Sequence, residues 1–286
     1  MFMNLEKINS ILQSDPKNTI RVRLFLYLNK LARKISFGSV SLRRKIIKIN
    51  SFLIPAPYSR EEENDNGFFF YKSDLKLKFP VKMTQTNHIA FGYCGWIYSK
   101  YKKNNFVEIK QGDIVVETGA FIGGFTIPAS FIAKEVHAFE PSPRNFKSLK
   151  QNCETHEVNN VSLYQKGIFE TNGHLNFNIS EKGVDDSFFK PDFGEALQTL
   201  KIETLRLDNW AKSKNIVSID FLKVEAEGAE REIIRSIGNL NVKKIVVDVS
   251  AERDGKSDKD EIKLMLESQR YEVLIDGNVL FARKKF

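Results

Sequence analysis

The chain has 286 residues, with 44 Lys and Arg against 36 Asp and Glu, so its formal net charge is +8. A hydrophobic fraction of 42% is ample for a buried core and excludes a natively disordered chain. No window approaches the roughly 18 consecutive apolar residues of a membrane-spanning helix, and the start, MFMNLEKINS, lacks the apolar region of a signal peptide. We therefore expect a soluble, cytoplasmic protein.

The basic charge is concentrated in the first third of the chain. Residues 1–110 hold 20 basic and 8 acidic residues, whereas residues 111–286 hold 24 and 28. Within residues 1–60, apolar residues recur at helical spacing, which predicts a basic extension of two amphipathic helices broken near Gly38. Their apolar faces could pack on the main domain or form a homo-oligomer. Alternatively, they could contact anionic lipid at the inner membrane face; nucleic acid is the weakest option because no nucleic-acid-binding module is recognisable.

Residues 61–110 are predicted to be a linker and cap region. Two prolines and an acidic, Asn-rich run indicate that residues 51–67 are a connector. The segment FFFYKSDLKLKF that follows predicts two short strands around Ser73-Asp74. Residues 88–102 are rich in Tyr, Trp and Gly and are expected to cap the neighbouring domain.

Neither a disulfide framework nor a metal site is expected. The two cysteines, Cys94 and Cys153, have neither the number nor the spacing for a zinc site or a set of disulfides. His88 has no second His, Cys or carboxylate at ligand spacing, so an ordinary hydrogen-bonding role is expected for it.

From residue 111 onward, short apolar strands alternate with helices. Strands are predicted over residues 114–117, 136–140, 161–165, 220–225, 244–249, 271–275 and 279–283, and helices over 125–133, 143–153, 229–237 and 258–269. Alternation of this kind predicts a parallel sheet with right-handed crossovers. The last two strands are joined by so short a turn that they must be antiparallel. Residues 111–286 are therefore expected to form a doubly wound, mostly parallel, seven-stranded α/β sheet with a terminal antiparallel hairpin strand.

The first of these strands ends at Glu117 and leads into a glycine-rich loop. Ligands of open parallel sheets bind beyond the carboxyl ends of the strands. Gly119 and Gly123 would let backbone N–H groups approach a carboxylate or phosphate closely. Their spacing differs from the G-x-G-x-x-G pattern of nicotinamide and flavin sites, so the loop alone does not identify the ligand.

Acids also end the second and fourth strands. Glu140 lies 21 residues after Gly119, and an acid about 20 residues past the first glycine accepts hydrogen bonds from ribose in nucleoside-binding folds. The loop and this acid together favour an adenosine-containing ligand. Glu225 ends a strand expected beside the first one, so its carboxylate should face the same crevice. Glu227 and Glu230 lie near the start of the next helix. The helix dipole favours acids at that position, so a structural role is as well supported for them as a functional one.

Three segments in order carry a resemblance to a known family. They are ETGAFIGGFT from Glu117, AFEPSPRNF from Ala138 and KVEAEGAE from Lys223. The chain resembles the FkbM-type family of S-adenosylmethionine-dependent methyltransferases, whose pattern is approximately D-V-G-A-N-I-G-x-F-T, A-F-E-P-x-P-x-N and K-I-D-V-E-G-A-E. It departs from that pattern with Glu117 and Glu225 in place of Asp, and with Phe121 in place of Asn. The resemblance implies a class I methyltransferase fold and does not cover residues 1 to about 85.

The resemblance implies that S-adenosyl-L-methionine is the cofactor and S-adenosyl-L-homocysteine the product. The first loop would surround the methionine part, Glu140 would bind the ribose, and Gly167 with Ile168 would lie near the adenine. Glu225 would stand close to the transferred methyl group. The residues implied for cofactor binding are Glu117, Thr118, Gly119, Ala120, Phe121, Gly123, Glu140, Pro141, Gly167 and Ile168.

The expected reaction is O-methylation of a hydroxyl on a sugar, a glycan or glycolipid, or a small natural product, because these are the family's typical acceptors. Methyl transfer requires in-line placement of the acceptor atom and removal of its proton. Glu225 is predicted to be the general base or, equally, a cofactor ligand only, with Glu227 and His88 as weaker candidates for the base. Two other classes stay open: another nucleotide-dependent Rossmann-type enzyme, and a non-catalytic nucleoside-binding module derived from a methyltransferase.

Overall fold

A computed structural model describes residues 20–35, 39, 42, 45–46, 49, 60–63, 69–72, 75–80, 93–180, 185–190, 196–253 and 255–285. The chain divides into two compact units, Met1–Ser99 and Lys100–Phe286. The predicted helix break near Gly38 and the side chain of His88 lie outside the described residues. The predicted domain boundaries at residues 60 and 110 stay predictions.

The described elements of the first unit are two helices and a three-stranded antiparallel sheet. They are α1 (Ile20–Ile35), β1 (Arg60–Glu63), β2 (Phe69–Lys72), β3 (Lys76–Phe79) and α2 (Tyr93–Lys100), whose last residue begins the second unit. The two short strands predicted around Ser73-Asp74 are confirmed as β2 and β3, which pair antiparallel. The predicted connector is wrong at β1, which pairs with β2. An edge strand is held by backbone hydrogen bonds to one neighbour and is often charged, so its acidic sequence does not prevent pairing.

The second unit is built on a seven-stranded sheet with the strand order β12-β13-β11-β10-β4-β5-β6. Its strands are β4 (Ile114–Thr118), β5 (Glu135–Phe139), β6 (Val161–Tyr164), β10 (Ser218–Val224), β11 (Asn241–Asp248), β12 (Tyr271–Asp276) and β13 (Val279–Lys284). Neighbours from β6 through β11 are parallel, whereas β13 is antiparallel to both β11 and β12. The predicted α/β fold with its terminal antiparallel hairpin is therefore confirmed.

Helices cover both faces of this sheet, which explains why its central strands are apolar almost throughout. They are α3 (Thr126–Ser130), α4 (Pro143–Thr155), α5 (Leu207–Ser213), α6 (Glu230–Arg235) and α7 (Lys259–Ser268). On one face, side chains from α5, α6 and α7 form an apolar cluster with Val116, Phe139 and Val224. On the other face, Phe125, just before α3, stacks on Phe221 of β10 with ring centroids 5.9 Å apart. The two layers fix the carboxyl ends of the strands.

A second, three-stranded sheet lies between β6 and β10 in the chain and was not predicted. Its strands are β7 (Gly167–Ile168), β8 (Gly173–Ile179) and β9 (Gln198–Leu205), in the order β7-β9-β8. Apolar residues alternate along β8, where Phe177 and Ile179 are buried and their neighbours are more exposed. This alternation with a period of two is the sequence signal that could have predicted β8.

Among the described helices, none is both long and apolar enough to cross a membrane.

Candidate active site

The loop after β4 is shaped by Gly119. Its φ is +74°, and a Cβ placed on it would lie 1.6 Å from the carbonyl oxygen of Glu225. The two backbones meet because β4 and β10 are parallel neighbours, and the Glu225 N–H donates to the carbonyl oxygen of Thr118 at 3.1 Å. Only glycine fits at position 119, because any side chain would overlap the Glu225 backbone. The absence of a side chain lets the carboxyl ends of β4 and β10 lie close together.

Phe121 occupies a strained position in the same loop. Its φ is +51°, a left-handed conformation that costs an L-residue roughly 1–2 kcal/mol. Asn tolerates this conformation better than a bulky side chain does, which gives the Asn of the family pattern a physical reason. The Phe121 N–H donates to Oε2 of Glu140 at 2.7 Å. The backbone of position 121 therefore serves the site although its side chain differs from the family's.

Ala120 and Gly123 complete the turn by packing. The N–H groups of Gly119 and Ala120 both donate to the carbonyl oxygen of Phe139 at 3.0 Å, which ties the loop to the end of β5. Gly123 has a φ of +91°, and a Cβ there would lie 3.0 Å from the Leu149 side chain on α4. Glycine at position 123 thus allows the loop to lie close against α4.

Glu140 follows β5 directly and is only 4% exposed. Its Oε2 accepts the Phe121 N–H at 2.7 Å, and its Oε1 accepts the Ser142 N–H at 2.9 Å. Burial raises the pKa of Glu140 to about 8, although these two hydrogen bonds oppose the rise. A carboxylate has about four acceptor positions, so two remain for hydroxyl groups. Pro141 connects Glu140 to Ser142, the residue that precedes α4.

Glu117 and Lys223 form a buried ion pair beneath the loop. Each residue is 1% exposed, and Lys223 Nζ lies 3.2 Å from Glu117 Oε1. The ammonium also contacts Glu225 Oε2 at 2.9 Å and donates to the carbonyl oxygen of Gly119 at 2.8 Å, so each of its three protons has an acceptor. Burial raises the pKa of Glu117, opposed by Lys223 and by Thr126, whose hydroxyl donates to Oε2 at 2.6 Å.

Glu225 is held between two ammonium groups. Lys100 Nζ lies 3.0 Å from Oε1, while Lys223 contacts Oε2. Burial by itself would raise the pKa of Glu225, but Lys223 and Lys100 outweigh it and hold this pKa far below its ordinary value. Lys100 also pairs with Asp248, which accepts the Tyr101 hydroxyl at 3.2 Å. Glu225 is therefore an ionised, oriented carboxylate whose side chain is still 24% exposed.

The acids after β10 differ from one another in role. Glu230 accepts the N–H of Ala226 at 2.6 Å and closes its own loop, and burial raises its pKa to about 7. Glu227 has a φ of +48°, and its carbonyl oxygen accepts the Ser187 hydroxyl at 2.6 Å. Burial and the neighbouring Glu252 raise the pKa of Glu227 well above its ordinary value. Glu230 thus has a local structural role, whereas Glu227 is a half-buried residue whose carboxyl group makes no such loop-closing contact with the described residues.

Most residues of this site come from a segment that a family model matches. The model is described as the methyltransferase FkbM domain, and it matches residues 117–273, more than half of the chain. The matched range contains Glu117, Glu140 and Glu225. The chain belongs to the FkbM-type methyltransferases.

Curated relatives of this FkbM-type methyltransferase are of low identity. Methyltransferase 1 of Beauveria bassiana is 24% identical over 185 residues, which cover 57% of this chain and 73% of that protein. The 31-O-demethyl-FK506 methyltransferase FkbM of Streptomyces tacrolimicus is 26% identical over 209 residues, covering 62% and 79%. The hexuronic acid methyltransferase AglP of Haloferax volcanii is 26% identical over 164 residues, covering 57% and 65%. A solved structure, methyltransferase FkbM from Methylobacillus flagellatus, has a TM-score of 0.42 at 13% identity, covering 69% of this chain and 52% of its own.

Gly167 and Ile168, predicted to lie near the adenine, form β7. Both are buried, and they pair in parallel with Thr204 and Leu205 of β9. A Cβ on Gly167 would lie 2.5 Å from the Phe188 ring. Ile168 belongs to the apolar cluster of the main domain. The structure thus shows Gly167 and Ile168 as packing residues. Their contact with adenine stays a prediction.

Four residues of the site were missed at the sequence level. Lys223 stands within a family motif but received no role, and Asp248 ends β11 just as the three assigned acids end their strands. The strand-end rule would have found Asp248. Lys100 and Tyr101 precede the predicted domain, and no motif marks them.

Asp186 lies in a segment without a recognisable motif, yet it is part of a buried polar network. This carboxylate is buried, forms an ion pair with Arg144 and accepts the Ser142 hydroxyl at 2.7 Å. The two partners, at the start of α4, are 42 and 44 residues earlier in the chain, so no local pattern reveals them. Within the described residues, no cluster of three His, Cys, Asp or Glu is arranged to hold a metal ion.

Proposed function

We propose that this protein transfers the methyl group of S-adenosyl-L-methionine to a hydroxyl oxygen of a sugar, a glycan or glycolipid, or a small natural product. The observation that carries the proposal is Glu140, a buried carboxylate at the carboxyl end of β5 with two acceptor positions left after its two backbone hydrogen bonds. It lies beside the Gly119 loop, where ligands of open parallel sheets bind. Membership of the methyltransferase family supplies the reaction class.

The chain's residues fit the proposed methyl donor. Glu140 would accept the ribose hydroxyls, and the loop from Gly119 to Gly123 would border the amino-acid part. When bound, S-adenosyl-L-methionine supplies an activated methyl group on a sulfonium sulfur. When ionised, the carboxylate of Glu140 also argues against a donor with a phosphate on that ribose, because two anions would repel each other.

Glu225 fits an orienting role better than that of a general base. A general base works best when its pKa lies near the operating pH, and two ammonium groups hold the pKa of Glu225 far below that range. Its fixed negative charge can instead attract the positively charged sulfonium and accept a hydrogen bond from the acceptor. Glu227, which lies two residues after Glu225 and whose pKa burial raises, remains the second candidate for removing the acceptor's proton.

The acceptor class rests on chemistry and on named relatives. Two relatives are named as methyltransferases of 31-O-demethyl-FK506 and of hexuronic acid. A site of partly exposed carboxylates suits hydroxyl acceptors, which donate hydrogen bonds to them. Hydroxyl oxygens of sugars and small natural products are therefore the acceptors that we propose.

Isothermal titration with S-adenosylhomocysteine tests the cofactor assignment. Glu140→Gln should weaken binding at least tenfold, because a hydrogen bond to a charged group contributes about 1.5–3 kcal/mol and about 1.4 kcal/mol is a factor of ten. Glu267→Gln, at an exposed acid on α7, is the matched control and should bind as the wild type does. Equal affinity for the wild type and Glu140→Gln would contradict the ribose assignment.

Three further measurements separate the alternative functions. Thermal stabilisation by NAD but not by S-adenosylhomocysteine would favour a dehydrogenase. Binding of S-adenosylmethionine without any methylated product would favour a non-catalytic module. Comparison of glycans and small metabolites from cells with and without the gene should reveal a product heavier by one methylene, and the absence of any such difference would count against catalysis.

A further inference from the structure

Asp186 is a buried carboxylate that the proposed chemistry does not use. It is 8% exposed. Its Oδ1 accepts the Ser180 N–H at 2.8 Å, and its Oδ2 accepts the Arg144 Nε–H at 3.1 Å while the guanidinium Nη2 reaches Oδ1. A two-pronged arginine–carboxylate pair of this kind fixes geometry as well as charge. Asp186 is thereby anchored to the start of α4.

Ser142 links Asp186 to Glu140. The Ser142 hydroxyl donates to Asp186 Oδ2 at 2.7 Å, and the Ser142 N–H donates to Glu140 Oε1 at 2.9 Å. Ser142 is the N-cap residue of α4, yet its side chain makes no capping hydrogen bond. A serine in that position normally caps the helix, and losing the cap costs about 1 kcal/mol. Here the hydroxyl binds Asp186 instead, so helix stability does not explain the contact.

The charge of Asp186 also acts on Glu140. Burial is the main cause that raises the pKa of Glu140 to about 8, and the negative charge of Asp186 adds to it. The N–H groups of Ser142 and Phe121 and the ammonium of Lys223 oppose this rise. Arg144 stands against Asp186 and partly neutralises it. The Asp186–Arg144 pair therefore adjusts the acidity of the group that would meet the ribose.

We propose that Asp186 is a positioning residue for the nucleoside, which orients Glu140 through Ser142 and, together with Arg144, sets the pH range in which Glu140 accepts ribose hydroxyls. This inference rests on the proposed function, because the ribose belongs to the proposed methyl donor. Only the ionised carboxylate of Glu140 can accept both hydroxyl hydrogens. Affinity for the nucleoside should thus rise with pH as Glu140 ionises.

The test measures S-adenosylhomocysteine affinity from pH 6 to pH 9 by isothermal titration of the full-length protein. Asp186→Asn removes a negative charge near Glu140, so the pH midpoint should move to lower pH, by on the order of one unit. Arg144→Gln leaves Asp186 unneutralised, so the midpoint should move to higher pH. General damage to the fold does not predict opposite shifts. If Asp186→Asn does not fold, Arg144→Gln carries the test.

Two further variants separate orientation from charge. Ser142→Ala removes the hydroxyl but keeps the charge of Asp186, so affinity should fall at every pH with an unchanged midpoint. Glu140→Gln should abolish the pH dependence. A wild type that binds no S-adenosylhomocysteine overturns the proposed function together with this inference. A wild type that binds it with a midpoint unmoved by both Asp186→Asn and Arg144→Gln overturns the role of Asp186 alone.

Discussion

Lys223 is the residue on which the charge balance of the site depends. Its ammonium contacts Glu117 and Glu225, and replacing it would leave Glu117 buried without a counter-charge. Removal of one partner from a buried ion pair typically costs about 3–5 kcal/mol. Lys223→Met should lower the free energy of unfolding by that amount, measured by urea unfolding followed by circular dichroism.

A surface pair and a double variant control this prediction. Lys243 and Asp220 form an ion pair of 2.7 Å in which the lysine side chain is 44% exposed, so Lys243→Met should cost less than about 1 kcal/mol. Adding Glu117→Gln to Lys223→Met removes the unpaired charge and should recover part of the loss. Equal losses for Lys223→Met and Lys243→Met would show that the buried pair has no special weight.

Gly119 should tolerate no side chain. A Cβ at this residue would lie 1.6 Å from the carbonyl oxygen of Glu225, so Gly119→Ala forces β4 and β10 apart at their carboxyl ends. The variant should lose its affinity for S-adenosylhomocysteine and unfold at a clearly lower temperature, measured by titration and thermal unfolding. Gly112 has a similar φ of +89° with no atom within 4 Å of its Cβ position. Gly112→Ala should therefore cost only the left-handed strain of roughly 1–2 kcal/mol, and a similar loss in both variants would refute the overlap argument.

The sequence could predict those site residues that follow strands, and it failed where partners are distant. Glu117, Glu140 and Glu225 are recognisable because each ends an apolar run in a parallel sheet. Two ammonium groups decide the ionisation of Glu225. Lys223 is two residues away and stands in the same motif, whereas Lys100 is 125 residues away in the chain. Whether a strand-end acid is a base or a clamped anion therefore depends on contacts that a linear pattern does not contain.

At the scale of elements, α1 offers an exposed apolar face on a basic helix. Leu24, Tyr27, Leu31 and Ile35 are 46%, 65%, 41% and 51% exposed. The helix sequence, IRVRLFLYLNKLARKI, contains five basic residues and no acid. A helix with these properties binds anionic membrane surfaces through burial of its apolar face and through charge. The predicted contact between residues 1–60 and an anionic membrane stays a prediction.

Cosedimentation with vesicles tests that contact in the full-length chain. Vesicles of phosphatidylcholine with phosphatidylserine should retain the wild type, and the double variant Leu24→Ser with Leu31→Ser should bind several-fold less. The matched control replaces two exposed apolar residues of the second unit, Val217→Ser with Leu264→Ser, which are 87% and 67% exposed. Equal retention of both double variants would exclude α1 as the contact surface.

The elements that the sequence predicted well are those with a clear pattern of apolar residues. Every strand of the large sheet was predicted to within a few residues, because buried parallel strands are continuous apolar runs. The helix α5 and the sheet β7-β9-β8 were missed. Strands such as β8 mix exposed polar residues with buried Phe177 and Ile179, so their amino-acid composition resembles that of a loop. Only the alternation distinguishes them.

At the scale of the whole molecule, several buried carboxyl groups share one direction of pKa shift. Burial raises the pKa to about 8 at Glu140, to about 7 at Glu230 and to about 9 at Glu252. Because these groups hold their protons more tightly in the folded chain than in the unfolded chain, their contribution to stability is complete below the ordinary carboxyl pKa and is lost as pH rises through the folded values. The ligand-free protein should therefore unfold at progressively lower temperature between about pH 5 and pH 9.

Burial raises the pKa of Glu117 and Glu227 as well, so these two groups add to that slope. Other shifted groups have little effect on it or oppose it. The pKa of Glu225 is lowered, so its contribution is lost only in acid, and the pKa of Lys223 is raised, so its loss lies at high pH. Burial lowers the pKa of His137, so this residue stabilises the folded chain once the pH has risen to the ordinary pKa of histidine. Its contribution therefore opposes the decline in stability only at the acidic end of the pH range. Thermal unfolding across this range should show a shallower decline for Glu140→Gln than for the wild type, since one of the contributing carboxyl groups no longer titrates. Glu267→Gln, at an exposed acid, should reproduce the wild-type slope, and a melting temperature that rises toward pH 9 would contradict the assigned pKa directions.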